Sequence, residues 1–190
     1  MHTPAVVAPR NPLLGVALAA LVAPACGGVR GTSAPPVVTG PDGKPAETVD
    51  FELADARGGG QALRLSDFRG RPVIVHYFTT WCAPCEAEFQ NLNRLVDLHR
   101  EKNDLAVLGV ALDLDGRKLL PMFLEVRGLA YPVGLADERM LHGETPFGPV
   151  RAIPATFLVD ADGRHVETFQ GVVPFAHLQS RLDALIAARP

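Results

Sequence analysis

The chain has 190 residues, 47% of them hydrophobic, which suits one buried-core domain with extensions. Its formal net charge is −3 with both signs dispersed. No basic block or interleaving of aromatic and basic residues is present, which argues against a nucleic-acid partner.

Residues 1–25 read as an export signal. Arg10 is the only charged residue before the apolar run 13–23 ("LLGVALAALVA"). That run is too short to span a bilayer as a stable helix and has the length of a signal-peptide h-region. It ends at "APACGG", where small residues flank Cys26. This stretch resembles the lipobox of bacterial lipoproteins, with Ala23 standing where that family usually has Leu. The resemblance implies lipidation of Cys26, a mature chain beginning there, and a lipid anchor in a membrane facing the periplasm. Gly27, where Asp would mean inner-membrane retention, slightly favours the outer membrane. Plain cleavage after Ala25, at an A-x-A site, is the alternative and gives a soluble periplasmic or secreted protein. Residues 26–47, rich in Gly, Pro, Ser and Thr, read as a flexible tether. The folded domain is expected over 48–190.

Within it, strands and helices alternate. Residues 49–53 are predicted as a short strand and Gly58 to Gly60 as a turn, and Ser66 is a candidate cap for a turn holding Asp67 and Phe68. Residues 72–78 ("PVIVHYF"), apolar apart from His76, predict a central buried strand. Residues 83–100 predict a helix with Phe89, Leu92, Leu95, Val96 and His99 on one face. A second buried strand is predicted over 105–112 and a helix over 117–126, whose start Pro121 restricts. Short strands follow at 131–135 and 156–159, then the turn "DADG" and a hairpin partner over 165–170. Phe175, Leu178, Leu182, Leu185 and Ile186 form one face of a closing helix. A parallel βαβ unit followed by a hairpin and a helix implies a central sheet covered by helices.

Lipidation of Cys26 leaves Cys82 and Cys85 as the pair free to react. Their C-x-x-C spacing marks a candidate redox couple. Cys82 falls where the buried strand gives way to the helix, and unpaired N–H groups and the helix dipole there favour a thiolate. Cys82 is therefore the candidate nucleophile, and Cys85, about one turn on, the thiol that resolves a mixed disulfide. Pro84 suits a first helical turn, which needs no N–H from it. Two other readings of the pair are a zinc site and a purely structural disulfide. Zinc normally takes four ligands, and no second cysteine pair is present while His142, His165 and His177 are scattered. A disulfide closing so small a ring stabilises little.

"FTTWCAPCEAEF" together with "AIPATFLVDADGRHVETFQG" resembles the thioredoxin-like thiol-disulfide oxidoreductases, and among them the TlpA/ResA-type branch related to the AhpC/TSA–Redoxin proteins. The resemblance covers about residues 48–188, including "VDFEL", "LSDFRG" and an insertion over 113–133. It implies an α/β thioredoxin-like fold, with a central mixed β-sheet flanked by helices on both faces. Trp81, Cys82, Pro84 and Cys85 fall on the family's active-site motif, and Pro154 on its cis-proline, which lies against the cysteines and helps bind substrate chain. Trp81, Pro84 and Ile153 are the implied substrate contacts. Glu88 also matches the branch. Three residues after Cys85, it is either a group that moves the resolving thiol's proton or an ordinary solvated helix glutamate, as Glu86 is read. His76 stands where thioredoxin has a buried Asp and the branch often has Asn. It is either a base for Cys85 or a core histidine satisfied by a backbone partner.

The function expected from the resemblance is that of a membrane-tethered periplasmic thiol-disulfide oxidoreductase acting as a reductant. It would act on protein disulfides, in the manner of relatives that reduce the haem-binding cysteines of apocytochrome c. A membrane thiol reductant of DsbD type would supply the electrons, with no cofactor or metal beyond the Cys82–Cys85 couple, and a monomer is expected. A peroxiredoxin is the second enzyme reading, since Thr79-x-x-Cys82 mimics part of its motif, although His76 stands where that motif has Pro. A copper-binding thioredoxin-fold chaperone is the non-enzyme reading, although its cysteines are spaced one residue wider.

Overall fold

The computed structural model describes residues 39–44 and 46–188. The predicted export signal, Cys26 and most of the predicted tether lie outside them. The chain divides into two units, residues Met1–Pro35 and Pro36–Pro190, and the second holds every element described below.

Strand β1 (Glu52–Asp55) turns back through Gly58 and Gly60, both at positive φ, into antiparallel β2 (Ala62–Arg64). The turn costs no steric strain because neither glycine carries a Cβ. A 3-10 turn over Leu65–Phe68 follows. Here Asp67 and Asp50 rather than Ser66 supply the side-chain acceptors, taking the Arg64 and Ser66 N–H groups. Strand β3 (Val73–Phe78) is buried at every position, as a β-branched and aromatic run between two neighbours should be. Helix α1 (Cys85–His99) leads to β4 (Ala106–Ala111), parallel to β3 with Val73 opposite Ala106. Helix α2 (Gly116–Arg127) leads to β5 (Val133–Leu135), parallel to β4. Then come the one-turn α3 (Glu138–Leu141) and the small hairpin β6 (Glu144–Thr145) and β7 (Gly148–Pro149). Strands β8 (Ala155–Val159) and β9 (His165–Gln170) form an antiparallel hairpin, and α4 (Phe175–Ala187) closes the chain.

The seven-stranded sheet has the order β2-β1-β5-β4-β3-β8-β9 and is mixed. Both parallel crossovers step the same way across it, so right-handed connections lay α1 and α2 on one face. Strand parity follows. Ile74, Phe78, Val107, Ala111 and Leu158 pack with Phe89, Leu92 and Leu95 of α1, Leu120 and Leu124 of α2, and Leu178 and Leu182 of α4. Val75, Tyr77, Leu108 and Phe157 face the other way, against Leu65, Met140 of α3 and Phe147. Helices thus flank both faces unequally, the three long ones on a single side.

Several boundaries differ from the sequence reading. The first strand lies later than 49–53, and β2, α3 and the β6–β7 hairpin carry too few residues to show a period. Helix α2 runs from Gly116 straight through Pro121. That proline is exposed, so the carbonyl of Arg117, four residues back, that its missing N–H leaves unpaired lies on the wet side of the helix. Gly128, in the left-handed region, ends the helix.

Candidate active site

The site is assembled where β3 runs out. After Phe78 the chain turns, and the Cys82 N–H donates to the Thr79 carbonyl at 3.2 Å. The Cys85 N–H donates to the Cys82 carbonyl at 3.1 Å, which winds the chain into α1. Pro84, exposed and with φ −63°, caps that helix without needing to donate. Cys82 and Cys85 are joined as a disulfide with a Cα–Cα separation of 5.4 Å. The two sulfur-bearing residues are not equivalent. Cys85 is fully buried and Cys82 is 6% exposed, next in the chain to a Trp81 that is 74% exposed. Only Cys82 borders solvent, and its place ahead of the first free N–H groups of α1 favours its thiolate when the bond is reduced.

Pairing of Tyr77 with Ala155 brings the start of β8 beside the end of β3. The Ile153–Pro154 peptide bond just before it is cis. Pro154 is buried, and Ile153 packs half-buried on the same apolar cluster as Cys82 and Cys85. The loop is held from behind. The Pro154 carbonyl accepts from the Gly171 N–H at 2.7 Å, and Gln170 Oε1 accepts from the N–H groups of Arg151 and Ala152.

Below the cysteines lies a buried polar group. Glu88, one turn beyond Cys85, is 2% exposed. Its Oε1 accepts from the Val173 N–H at 2.7 Å, and its Oε2 accepts from the Thr156 hydroxyl at 3.2 Å. Nε2 of His76 lies 3.0 Å from the same Oε2, without the alignment of a directed hydrogen bond, and Nδ1 meets no acceptor. His76 sits opposite Thr156 in the β3–β8 pairing, with its ring between Phe78 and Phe89 at centroid distances of 5.6 and 5.7 Å. The nearest polar partner of His76 is thus a carboxylate, not a backbone group. Glu88 is not a solvated helix residue. Its neighbour Glu86 is half-buried and pairs at 2.7 Å with Arg127 of α2. The buried Tyr131 hydroxyl has no partner, and burial, with a smaller contribution from the Glu88 charge, pushes its pKa far up. A buried carboxylate and imidazole one turn from Cys85 can hold or pass a proton there.

One residue of the site escaped the sequence reading. Asp113, buried at the end of β4, accepts from the Thr80 N–H at 3.1 and 3.0 Å and from the Thr80 hydroxyl at 2.7 Å. It clamps the loop that carries Trp81 and Cys82. The available signal was an acid placed directly after a buried strand, in "ALDLDG". Replacing Asp113 with Ala is expected to lower stability by about 2 kcal/mol, the range for a lost charge-assisted bond to a buried group. It should also slow disulfide reduction, because Cys82, the candidate nucleophile, loses its fixed position. Urea unfolding and stopped-flow reduction check both, and an unchanged rate would show that the loop needs no clamp.

Among the described residues, no group of three or more His, Cys, Asp or Glu side chains is placed to hold a metal ion. No helix among them is long and apolar enough to cross a membrane. The AhpC/TSA family profile matches residues 43–167. The thiol-disulfide oxidoreductase ResA of Bacillus thuringiensis (strain Al Hakam) is 32% identical over 126 residues, covering 66% of this chain and 68% of that protein. A secreted thiol-disulfide isomerase from Corynebacterium glutamicum superposes with a TM-score of 0.66 at 25% identity, over 74% of this chain and 86% of the other. The pneumococcal exposed lipoprotein thioredoxin of Streptococcus pneumoniae strain TIGR4 superposes with a TM-score of 0.57 at 25% identity, over 72% of this chain and all of the other.

Proposed function

The chain belongs to the AhpC/TSA family and is a thiol-disulfide oxidoreductase of ResA type, and from that premise we propose that it is exported, anchored through Cys26, and reduces disulfides of periplasmic client proteins. The observation that carries this reading is the unequal burial of the two cysteines, Cys82 bordering solvent and Cys85 fully buried.

In the reduced protein the Cys82 thiolate attacks one sulfur of a client disulfide. A Cys82–client bond forms, the client S–S bond breaks, and the second client sulfur leaves as a thiolate that takes up a proton. Cys85 then gives up its proton and attacks Cys82 Sγ. The intramolecular disulfide forms and the first client sulfur leaves, so two electrons have passed from the pair to the client. Glu88, with His76 behind it, takes the proton that Cys85 releases. Trp81, Pro84 and Ile153 present the surface that the client chain crosses, and the buried cis-Pro154 sets the path of the loop that carries Ile153. A membrane thiol reductant of DsbD type restores the dithiol, so no further cofactor enters. The haem-binding cysteines of apocytochrome c are one client class. The apolar run before Cys26, and the likeness to a secreted isomerase and to an exposed lipoprotein, support export and the anchor.

The reduced protein is expected to cleave the interchain disulfides of insulin with turnover in the presence of dithiothreitol. Peroxide-dependent oxidation of Cys82 that outpaces insulin reduction would replace this reading with a thiol peroxidase. Cys26→Ser is expected to move the protein from the membrane to the soluble periplasmic fraction of its host. Unchanged membrane association of that variant would remove the lipid anchor.

A further inference from the structure

Exposed large apolar side chains are unevenly distributed over the described residues. Trp81, Leu114, Leu119, Met122, Val126 and Val172 all lie on the active-site loop, on or just before α2, or on the segment after β9 that binds Glu88, and Leu98 alone lies elsewhere. Three of them, Leu119, Met122 and Val126, recur at helical spacing on the outer face of α2, where a helix packed on a sheet normally carries polar residues. Met122 and Val126 are each 74% exposed. With Thr80, Phe123 and Arg127 these three line a groove of about 310 Å³.

The polar members of the groove are already engaged. Thr80 donates to Asp113, and Arg127 pairs with Glu86 while its guanidinium lies over the Phe123 ring. The groove therefore presents apolar surface without an unpaired charge, and it suits an uncharged, apolar occupant. Its position says which occupant. Thr80 lines the groove, and its next two neighbours along the chain are Trp81 and Cys82. Any disulfide attacked by Cys82 brings its own flanking residues across this rim. Through Thr80 the groove thus borders the loop that a client chain must touch.

We propose that the outer face of α2 is a client-docking groove. It takes a large apolar side chain that flanks the client disulfide, and so selects clients by the residue beside their cysteine rather than by the cysteine itself. Met122 suits the role, since an unbranched thioether adapts to differently shaped side chains. This inference rests on the reading that the protein reduces client disulfides.

The test uses two synthetic peptides, each with one intramolecular disulfide. They are identical except for Leu or Ser just before the first cysteine. Reduction of each by the pre-reduced full chain gives kcat/KM. The wild-type protein is expected to favour the Leu peptide roughly tenfold, through KM, the effect of burying much of one aliphatic side chain. In Met122→Ser/Val126→Ser the preference is expected to fall below about twofold. Because both side chains point to solvent, the core is untouched and an unchanged thermal midpoint confirms folding. Equal kcat/KM for the two peptides with the wild type overturns the docking groove while leaving client reduction standing. Reduction of neither peptide removes client reduction, and the groove with it. A preference kept by the double variant overturns the groove. So does concentration-dependent dimerisation of the wild type that the double variant abolishes, since a second copy is then the occupant.

Discussion

Cys85→Ser is expected to yield a protein that attacks disulfides and cannot let them go. Cys82 keeps its border with solvent and its place ahead of α1, so the first step proceeds. With the proposed resolving thiol gone, turnover is expected to fall at least about a thousand-fold, the scale seen when a covalent catalyst loses a reacting group. The measurable sign is accumulation of a mixed disulfide through Cys82, stable on a non-reducing gel and released by added thiol. Expressed in the native host, the same variant should capture clients for identification by mass. Cys82→Ser should capture none, because the remaining thiol is fully buried. Trapping by Cys82→Ser instead of Cys85→Ser would reverse the order of attack.

The second large effect concerns the buried carboxylate. Glu88→Ala strips partners from the Val173 N–H, the Thr156 hydroxyl and His76 together, in a pocket that water does not reach. The expected loss of stability is about 3–5 kcal/mol, the cost of leaving one member of a buried pair behind. Replacing both members, Glu88→Leu with His76→Phe, should recover only part of it, because the residue at 76 then needs no carboxylate while the Val173 N–H and the Thr156 hydroxyl stay unpaired. Activity should not return with stability. Decay of a preformed mixed disulfide, followed in a single turnover, is expected to stay slower by about a hundred-fold, the contribution of a positioned proton acceptor. Wild-type decay in the double variant would make the pair an element of the fold alone.

The two halves of this site were unequally legible in the sequence. Strand β3 and helix α1 announce themselves through an unbroken β-branched run and a helical apolar stripe, and the cysteine pair falls between them. The partnership of His76 with Glu88 does not. Glu86 and Glu88 both lie in the first turn of one helix, and nothing local separates the one that pairs with Arg127 from the one that turns inward. That difference is decided by the β3–β8 pairing, which sets Thr156 beside His76, and by Val173, which reaches back from the segment before α4. The Asp113 clamp is equally non-local, joining residues 33 apart in sequence. Elements of two to four residues, such as β2, α3 and the β6–β7 hairpin, are fixed by what they pack against and leave no periodic trace.

The parity of β3 has a consequence for quality control during folding. Ile74, His76 and Phe78 face α1, while Val73, Val75 and Tyr77 face the opposite layer. A slip of one residue in the pairing would exchange the two sets completely. Such a chain would lose its packing, strand His76 away from Glu88 and shift the cysteine turn out of line with cis-Pro154, all in a single error. Proofreading of the fold and proofreading of the chemistry are therefore the same event, since a misregistered molecule loses its packing and its site together.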